Sequence, residues 1–564
     1  MKIVECVPNF SEGRDLNVIK QITDAIESVD DVTLLDVDPG KDTNRTVVTF
    51  VGTPEGVEEA AFLAVKKASE VIDMRNHKGA HPRMGATDVC PFVPVSGVTM
   101  DDCVEISKRV GKRVGEELQI PVYLYENSAS TPERKNLAYI RQGEYEALPE
   151  KLKKPEFKPD FGPAEFNSRA GALVTGAREF LIAYNINLNT RDKKKANDIA
   201  LTIREKGHKK RDENYQPVRD ENGNFVYESG LFKDVKAIGW YIPEYGCAQI
   251  SINFTNYKVS PPHLVYDKVQ EIASQKGLVV TGSELVGLTP LEPMLMAGKY
   301  FLQKQGSSYG VSEKELVHIA TRSLGLNDIA KFDPYEKIIE WRIAKKDLLV
   351  NRSVSDFVDE LASSSPAPGG GSVAALCGSL AAALTSMVCN LTTGKRKFKS
   401  TEERIAYKEN EQLMIETAYQ AQGLKKKLLD TVDLDTEAFN KVMAAMRLPK
   451  STEEEKKKRG EAMQEATLNA TNVPLNTMRL CYSAIELAQT AAERGNPNAI
   501  SDAGVAADTA LNGVKAGYLN VKINLPGIKD DSVKQQILDE AESLSKKAED
   551  LTQKVSDIVA SKLL

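Results

Sequence analysis

After about residue 350 the sequence stops alternating. From VSDFVDELASSSPAPGGGSVAAL to the end, Ala, Leu, Lys and Glu recur at three- and four-residue spacing with little strand signal. That period fits an amphipathic helix and not a pleated strand of period two, so residues 353–564 read as an all-helical domain. A chain of 564 residues exceeds what one hydrophobic core supports, at about 150 residues per domain. The region before the break must therefore build its own core.

Up to residue 325, short apolar runs alternate with amphipathic ones, as in an α/β domain. IVECVP, VTLLDVD and TVVTFVG read as strands, and residues 15–29 and 54–73 have helical spacing. The loop DPGKDTNR is dense in turn residues, which predicts antiparallel pairing of the two strands it joins. PVYLYE begins a further strand. FLIAYNINL opens a second lobe, in which KAIGWYIPEYGCAQISINF reads as a hairpin, residues 262–276 as a helix and GLVVTGSELVGL as a strand. The polar stretch 205–230 reads as an excursion from that lobe. The expected division is 1–178 and 179–325 for the two lobes, 326–352 for a linker and 353–564 for the helical domain.

Charge narrows the partners. With 74 basic and 80 acidic residues the net charge is only -6, which argues against nucleic acid and against a membrane surface. Seven cysteines, scattered singly, form neither a disulfide framework nor a CxxC metal pair, and a reducing cytoplasmic setting is expected. MKIVECVPNF lacks the apolar core of a signal peptide, and VAALCGSLAAALTSMVCNL, rich in small residues and interrupted by Gly and Ser, reads as a buried helix.

NHKGAHPRMGATDVCPFVPV, residues 76–95, places two of the five histidines four residues apart. Pro82 biases His81 away from helical geometry, and Gly79 and Gly85 permit tight turns and close approach of a ligand. An imidazole displayed there, with Arg83 two residues on, suits proton transfer near neutral pH, and a structural role fits as readily. A metal pair with His77 is disfavoured, because Gly79 and Pro82 disrupt the helix it would need and HExxH is missing. Asp36 and Asp38 share one face at the end of an apolar strand, ahead of Asn44, Arg45 and Thr46. They either cap the turn or set a carboxylate beside the imidazole.

In the helical region, SSSPAPGGGSVAAL puts three glycines before an Ala- and Ser-rich helix. Its first amides could hold an anion, yet no GKS or GKT follows, and a linker or cap fits equally. In GLKKKLLDTVDLDTEAFNKVMAAMRLP, Leu424, Leu428, Val432, Phe439, Val442 and Met446 form an apolar stripe, and Asp435 falls within it. A carboxylate there needs a partner or a task. Desolvation would raise its pKa and suit it to act as acid and base in turn, and a buried salt bridge satisfies the same pattern. Asp433, roughly 200° round the helix, is placed on the solvent side. Ala506, Ala510, Gly513 and Gly517 share a face that admits either a packed helix or a planar ligand.

Together these segments carry a family resemblance. VECVPNFSEGR at 4–14, LLDVDPGKDTNRTVVTFVG at 34–52, HKGAHPRMGATDVCPFVPV at 77–95 and FGPAEFNSRAGALVTGAREFLIAYNINL at 161–188 resemble the formiminotransferase domain, as do IGWY at 238–241 and TGSELVGLTPL at 281–291. SSPAPGGGSVAAL, VDLDTEAF at 432–439 and LNVKINL resemble formiminotetrahydrofolate cyclodeaminase. In that order, nearly the whole chain is similar to the bifunctional formimidoyltransferase-cyclodeaminase family.

The resemblance implies an α/β (α+β) two-lobed transferase domain with a folate crevice, followed by an all-α helical bundle, assembled as a homo-oligomer. It implies transfer of the formimino group from N-formimidoyl-L-glutamate to N5 of tetrahydrofolate, in histidine degradation, and then closure to 5,10-methenyltetrahydrofolate with loss of ammonia. Tetrahydrofolate enters as co-substrate, with no tightly bound cofactor and no metal. The family's transferase histidine corresponds to His81 and its cyclodeaminase carboxylate to Asp435, with Asp38 carried as an orienter of His81. The family's folate-binding segment corresponds to Gly162, Pro163, Ala164, Glu165, Phe166, Asn167, Ser168, Arg169, Ala170 and Gly171.

Overall fold

The structure, a computed structural model, describes residues 2–41, 43–79, 81–213, 216–344, 348–394 and 400–563. β1 (Ile3–Cys6), β2 (Asn9–Phe10), β3 (Val32–Gly40), β4 (Arg45–Gly52), β5 (Thr87–Ser96), β6 (Val122–Glu126) and β7 (Leu173–Ala177) form one seven-stranded sheet. β3 and β4 pair antiparallel across the turn-rich loop, as expected. β1 and β2 together take one place between β4 and β5, antiparallel to both, while β5, β7 and β6 run parallel.

Adjacent side chains of a strand point to opposite faces, and here the two faces have separate cores. Leu173 of β7 packs with Val4, Phe50 and Phe92 and with α1 (Leu16–Glu27), α2 (Pro54–Val71) and α3 (Met100–Glu117). Its neighbour Val174 packs with Val89, Tyr123 and Tyr125 beneath α4 (Leu137–Arg141) and α5 (Leu148–Lys151). α2 starts where its residues dictate, at Pro54 behind Thr53, whose hydroxyl accepts the Gly56 N–H at 3.1 Å.

The second lobe comprises β8 (Ile182–Leu188), α6 (Lys193–Ile203), β9 (His208–Lys209), β10 (Tyr227–Glu228), β11 (Val235–Ile242), β12 (Cys247–Phe254), α7 (Pro262–Gln275) and β13 (Val280–Val286). Its sheet is antiparallel throughout, in the order β11-β12-β8-β13, with the expected hairpin at β11 and β12. The polar excursion folds back on itself: β9 pairs with β10, and Lys209 and Arg219 lie 3.4 and 3.9 Å from the Phe225 ring centroid.

Next come α8 (Leu291–Lys304), α9 (Glu313–Ser323), α10 (Pro334–Lys337) and α11 (Ile339–Arg342). The chain divides into two compact units, Met1–Pro293 with Leu324–Ile343, and Met294–Ser323 with Ala344–Leu564. Residues 294–323, within the stretch read as the second lobe, thus pack with the helical unit. Buried Tyr309 gives its hydroxyl to Glu416, and Asn390 Nδ2 donates to Gly310 O at 2.7 Å.

The rest is helical: α12 (Val354–Leu361), α13 (Gly370–Thr392), α14 (Thr401–Arg447), α15 (Glu453–Arg494), α16 (Ile500–Asn524) and α17 (Asp531–Leu563). α13 is long and apolar enough to cross a membrane by length and composition, but most of it is buried within the bundle. Small residues let the helices close. A Cβ on Gly378 of α13 or on Gly513 of α16 would lie 2.5 or 2.7 Å from Cys481 Sγ of α15. Helix packing therefore accounts for the strip Ala506, Ala510, Gly513 and Gly517, all buried. Pro474 sits inside α15 and has no N–H for the carbonyl of Ala470, and Asn524 Nδ2 donates to that carbonyl at 2.8 Å instead.

Candidate active sites

Residues 77–85 lie against the turn between β3 and β4. Asn44 Oδ1 accepts the Gly13 N–H at 3.0 Å and its Nδ2 donates to Lys78 O at 3.1 Å. Its carbonyl accepts from His77 Nε2 at 2.8 Å, while Arg83 Nε donates to His77 Nδ1 at 3.2 Å. Both ring nitrogens of His77 are thus engaged in the neutral form, and burial holds its pKa below the ordinary histidine value. His77 braces the loop.

Arg83, expected beside the imidazole as part of its chemistry, has a scaffolding role instead. It is buried, and it donates from Nη1 to Glu144 and Glu146 at 3.0 and 2.8 Å and from Nη2 to Glu146 at 2.7 Å. A guanidinium whose donors are all directed at its own protein pins the loop to residues 144–146.

His81 is half-buried, and its Nδ1–H donates to Pro82 O at 2.7 Å, which leaves the Nε2 lone pair available. Burial, and then the positive charge of Arg45 and of Arg141, hold its pKa below the ordinary histidine value against the opposing charge of Asp88. Asp88 is 1% exposed, accepts the Met84 N–H at 2.9 Å and pairs with Arg141 Nη2. Its pKa is pushed up by burial and pulled back by Arg141. Asp38, expected to orient the imidazole, is exposed on β3 like Asp36, and its charge acts on Arg45. The carboxylate whose charge bears on His81 is Asp88, which sequence pattern does not single out: Asp88 and Arg141 lie 53 residues apart and meet only through the fold.

The segment 162–171 is joined to the His81 loop. Gly85 and Gly171 form an antiparallel bridge, the Ala86 N–H donates to Ala170 O at 2.8 Å, and the Ala172 N–H donates to Met84 O at 3.0 Å. A Cβ on Gly85 would lie 2.4 Å from Ala172 O, so this glycine admits backbone and not a ligand. Gly162 and Gly171 bound the segment at φ 79° and 72°. Ala164, Glu165, Phe166 and Ser168 are exposed, and the Phe166 ring leans on Tyr145 at 5.4 Å. Asn167 Oδ1 accepts the Ala170 N–H at 2.9 Å, and Pro163 is half-buried. Arg169 faces elsewhere: it donates from Nε to Ser69 O at 3.2 Å and from Nη2 to Glu70 O, which caps the C-terminal turn of α2.

In the helical unit the three glycines and the stripe aspartate meet. Gly369 caps α13 without a side chain to accept its first amides. Asp435 of α14 supplies the acceptor: it takes a hydrogen bond from the Ser372 backbone, and Ser372 Oγ lies 3.2 Å from its Oδ2 and 2.9 Å from Val432 O. The anion at this helix N-terminus is thus the protein's own carboxylate. Burial raises the pKa of Asp435, and the two Ser372 hydrogen bonds oppose the rise. No ion pair reaches it among the described residues, and a desolvated carboxylate can both take and give a proton.

Two details of the stripe differ from expectation. Asp433 is half-buried, not on the solvent side, because it accepts the Leu349 N–H at 2.7 Å and the Val350 N–H at 3.4 Å. Met446 is 47% exposed near the end of the 47-residue α14.

Residues 3–178 match the family described as formiminotransferase domain, N-terminal subdomain, residues 183–344 the formiminotransferase domain, and residues 353–543 formiminotransferase-cyclodeaminase. The chain is 44% identical over 550 residues to formimidoyltransferase-cyclodeaminase of Rattus norvegicus, covering 97% of each. It is 43% identical over 312 residues to glutamate formimidoyltransferase of Thermoplasma acidophilum, covering 55% of this chain and 95% of that protein. It is also 43% identical over 213 residues to methenyltetrahydrofolate cyclohydrolase of Methylorubrum extorquens, covering 38% and 98%.

Proposed function

The chain belongs to the formimidoyltransferase-cyclodeaminase family, and on that premise we propose that it carries both activities of the name. It transfers the formimino group of N-formimidoyl-L-glutamate to N5 of tetrahydrofolate, releasing glutamate, and then cyclises 5-formimidoyltetrahydrofolate to 5,10-methenyltetrahydrofolate with loss of ammonia, in histidine degradation. One observation carries the reading: likeness to a bifunctional relative runs through 97% of both chains.

In the first step N5 attacks the amidine carbon, and the glutamate nitrogen must be protonated to leave. His81, neutral near pH 7 because its pKa is held down, takes the N5 proton at Nε2 and returns it to the departing nitrogen. Residues 162–171, bonded to the His81 loop, offer the folate its ledge. In the second step N10 attacks the same carbon. Asp435 removes the N10 proton and delivers one to the nitrogen that departs as ammonia, a task suited to a carboxyl with a raised pKa.

Neither step as written calls for a metal or a tightly bound cofactor. The seven cysteines, all free, support a cytoplasmic setting, and membership of the family supports a homo-oligomer.

The test is to mix the pure protein with formimidoylglutamate and tetrahydrofolate, follow methenyltetrahydrofolate by absorbance, and measure glutamate and ammonia in parallel. All three products are expected. Glutamate without ammonia would leave a transferase with a silent helical unit, and the absence of both products would overturn the reading.

A further inference from the structure

Three arginines near the first site are matched by carboxylates of the protein. Arg83 has Glu144 and Glu146, Arg141 has Asp88, and Arg134 has Asp160 together with the carbonyls of Glu156 and Lys158. Arg45 breaks the pattern. It is the first residue of β4, next to Asn44, whose side chain and carbonyl hold Lys78 and His77 of the catalytic loop. Its guanidinium is half-buried, and its Nε is a buried donor with no acceptor among the described residues. A charged donor removed from water without a partner is costly, and such groups persist where a ligand completes them.

The surrounding charges give that ligand its sign. Arg45 lies within Coulombic range of Asp88, Arg141 and Asp38, and both arginines act on His81. Asp88 is hydrogen-bonded to Arg141, and Asp38 is exposed, so among the described residues the inner charges beside the imidazole sum to one cation. Chemistry then says which anion. The nitrogen that His81 protonates is bonded to the carbon bearing the donor's α-carboxylate, so any group serving that nitrogen stands beside that carboxylate. A guanidinium presents Nε–H and one Nη–H side by side, the spacing of the two oxygens of a carboxylate.

We propose that Arg45 binds the α-carboxylate of the glutamate-bearing donor through its Nε edge and so sets the leaving nitrogen against His81. The assignment rests on the transferase reading above. Tetrahydrofolate also ends in glutamate, so the test separates the two sources of carboxylate.

The experiment uses the full-length chain as wild type, Arg45→Gln and Arg45→Lys. Glutamate release is measured while formimidoylglutamate and tetrahydrofolate are varied separately, and thermal unfolding followed by circular dichroism reports that the unit carrying each substitution is folded. Arg45→Gln should raise the KM for formimidoylglutamate by roughly 30- to 100-fold while leaving the KM for tetrahydrofolate within about twofold, and Arg45→Lys should recover part of the loss. A donor with its α-carboxylate converted to the amide should suffer a similar rise with wild type, and Arg45→Gln should no longer distinguish the two donors.

A rise confined to tetrahydrofolate would assign Arg45 to the folate tail and overturn the proposal, as would unchanged donor KM. Should Arg45→Gln fail to fold, the amide donor on wild type still decides: equal KM values for the two donors sink the idea. If wild type releases no glutamate from formimidoylglutamate, the transferase reading itself falls, a result distinct from a wild type that turns over and variants that bind normally.

Discussion

Gly371 leaves open the space that the carboxylate of Asp435 occupies: a Cβ on this glycine would lie 2.0 Å from Oδ1. The Ser372 hydroxyl, which donates to Val432 O at 2.9 Å, ties α13 to α14 at this point. Gly371→Ala should therefore displace the carboxylate and lower cyclisation by about 100-fold or more, in the range lost when a positioned acid-base group is misplaced. Glutamate release by the same protein should be unchanged. Alanine is the better helix former, by up to about 1 kcal/mol, so a loss of cyclisation without a loss of stability would show that the glycine serves the site and not the helix. Full cyclising activity in the variant would sink the account.

Asp435→Asn removes the charge and keeps the shape. The folded state holds the pKa of this carboxyl above its ordinary value of 3.8 through burial, so folding favours the protonated form. Stability that the acid contributes at low pH is lost as pH rises through the folded pKa, and asparagine, which does not ionise, is spared that loss. The variant should cyclise roughly 10³-fold more slowly yet unfold at the same or a higher temperature at pH 7, with the advantage vanishing near pH 4. Melting curves across that range check it, and a variant that is less stable at pH 7 than at pH 4, relative to wild type, would contradict the sign.

Asp435 is legible in the amino-acid sequence because helical periodicity is local: one acid in an apolar stripe stands out from its own neighbours. His81 is legible for a similar reason, between turn-forming residues that display it. What sets its protonation is not. Arg45, Asp88 and Arg141 come from two strands and a five-residue helix, and nothing in their local patterns distinguishes them from surface charge. Asp433 shows the limit from the other side. Its angle round the helix follows from the period, but a position off the stripe is solvated only if no other segment covers it, and the amides of Leu349 and Val350 arrive from 84 and 83 residues upstream.

The pH dependence of glutamate release should report His81. Its neutral form is the one that accepts the N5 proton, and its pKa lies below 6.5, through burial first and the charge of Arg45 second. The acid limb of kcat/KM should therefore fall below pH 6.5, and His81→Asn should cost about 10²- to 10⁴-fold. Removing the neighbouring cation in Arg45→Gln should move the limb upward. A limb in wild type above pH 6.5 would place another group in charge of the step.

Within α15, Pro474 and Asn524 make a compensated pair. The missing proline N–H leaves Ala470 O without its helical donor, and Asn524 Nδ2 fills the place at 2.8 Å from the end of α16. Asn524→Ala should leave a half-buried carbonyl without its donor and destabilise the helical unit by about 1 kcal/mol. In a Pro474→Ala background the helix regains its own N–H at position 474, so the same asparagine substitution should cost less. Urea unfolding of the four proteins, followed by loss of cyclising activity, gives the coupling directly. Equal costs in the two backgrounds would mean that the asparagine and the proline act independently, and that the carbonyl of Ala470 is satisfied in some other way.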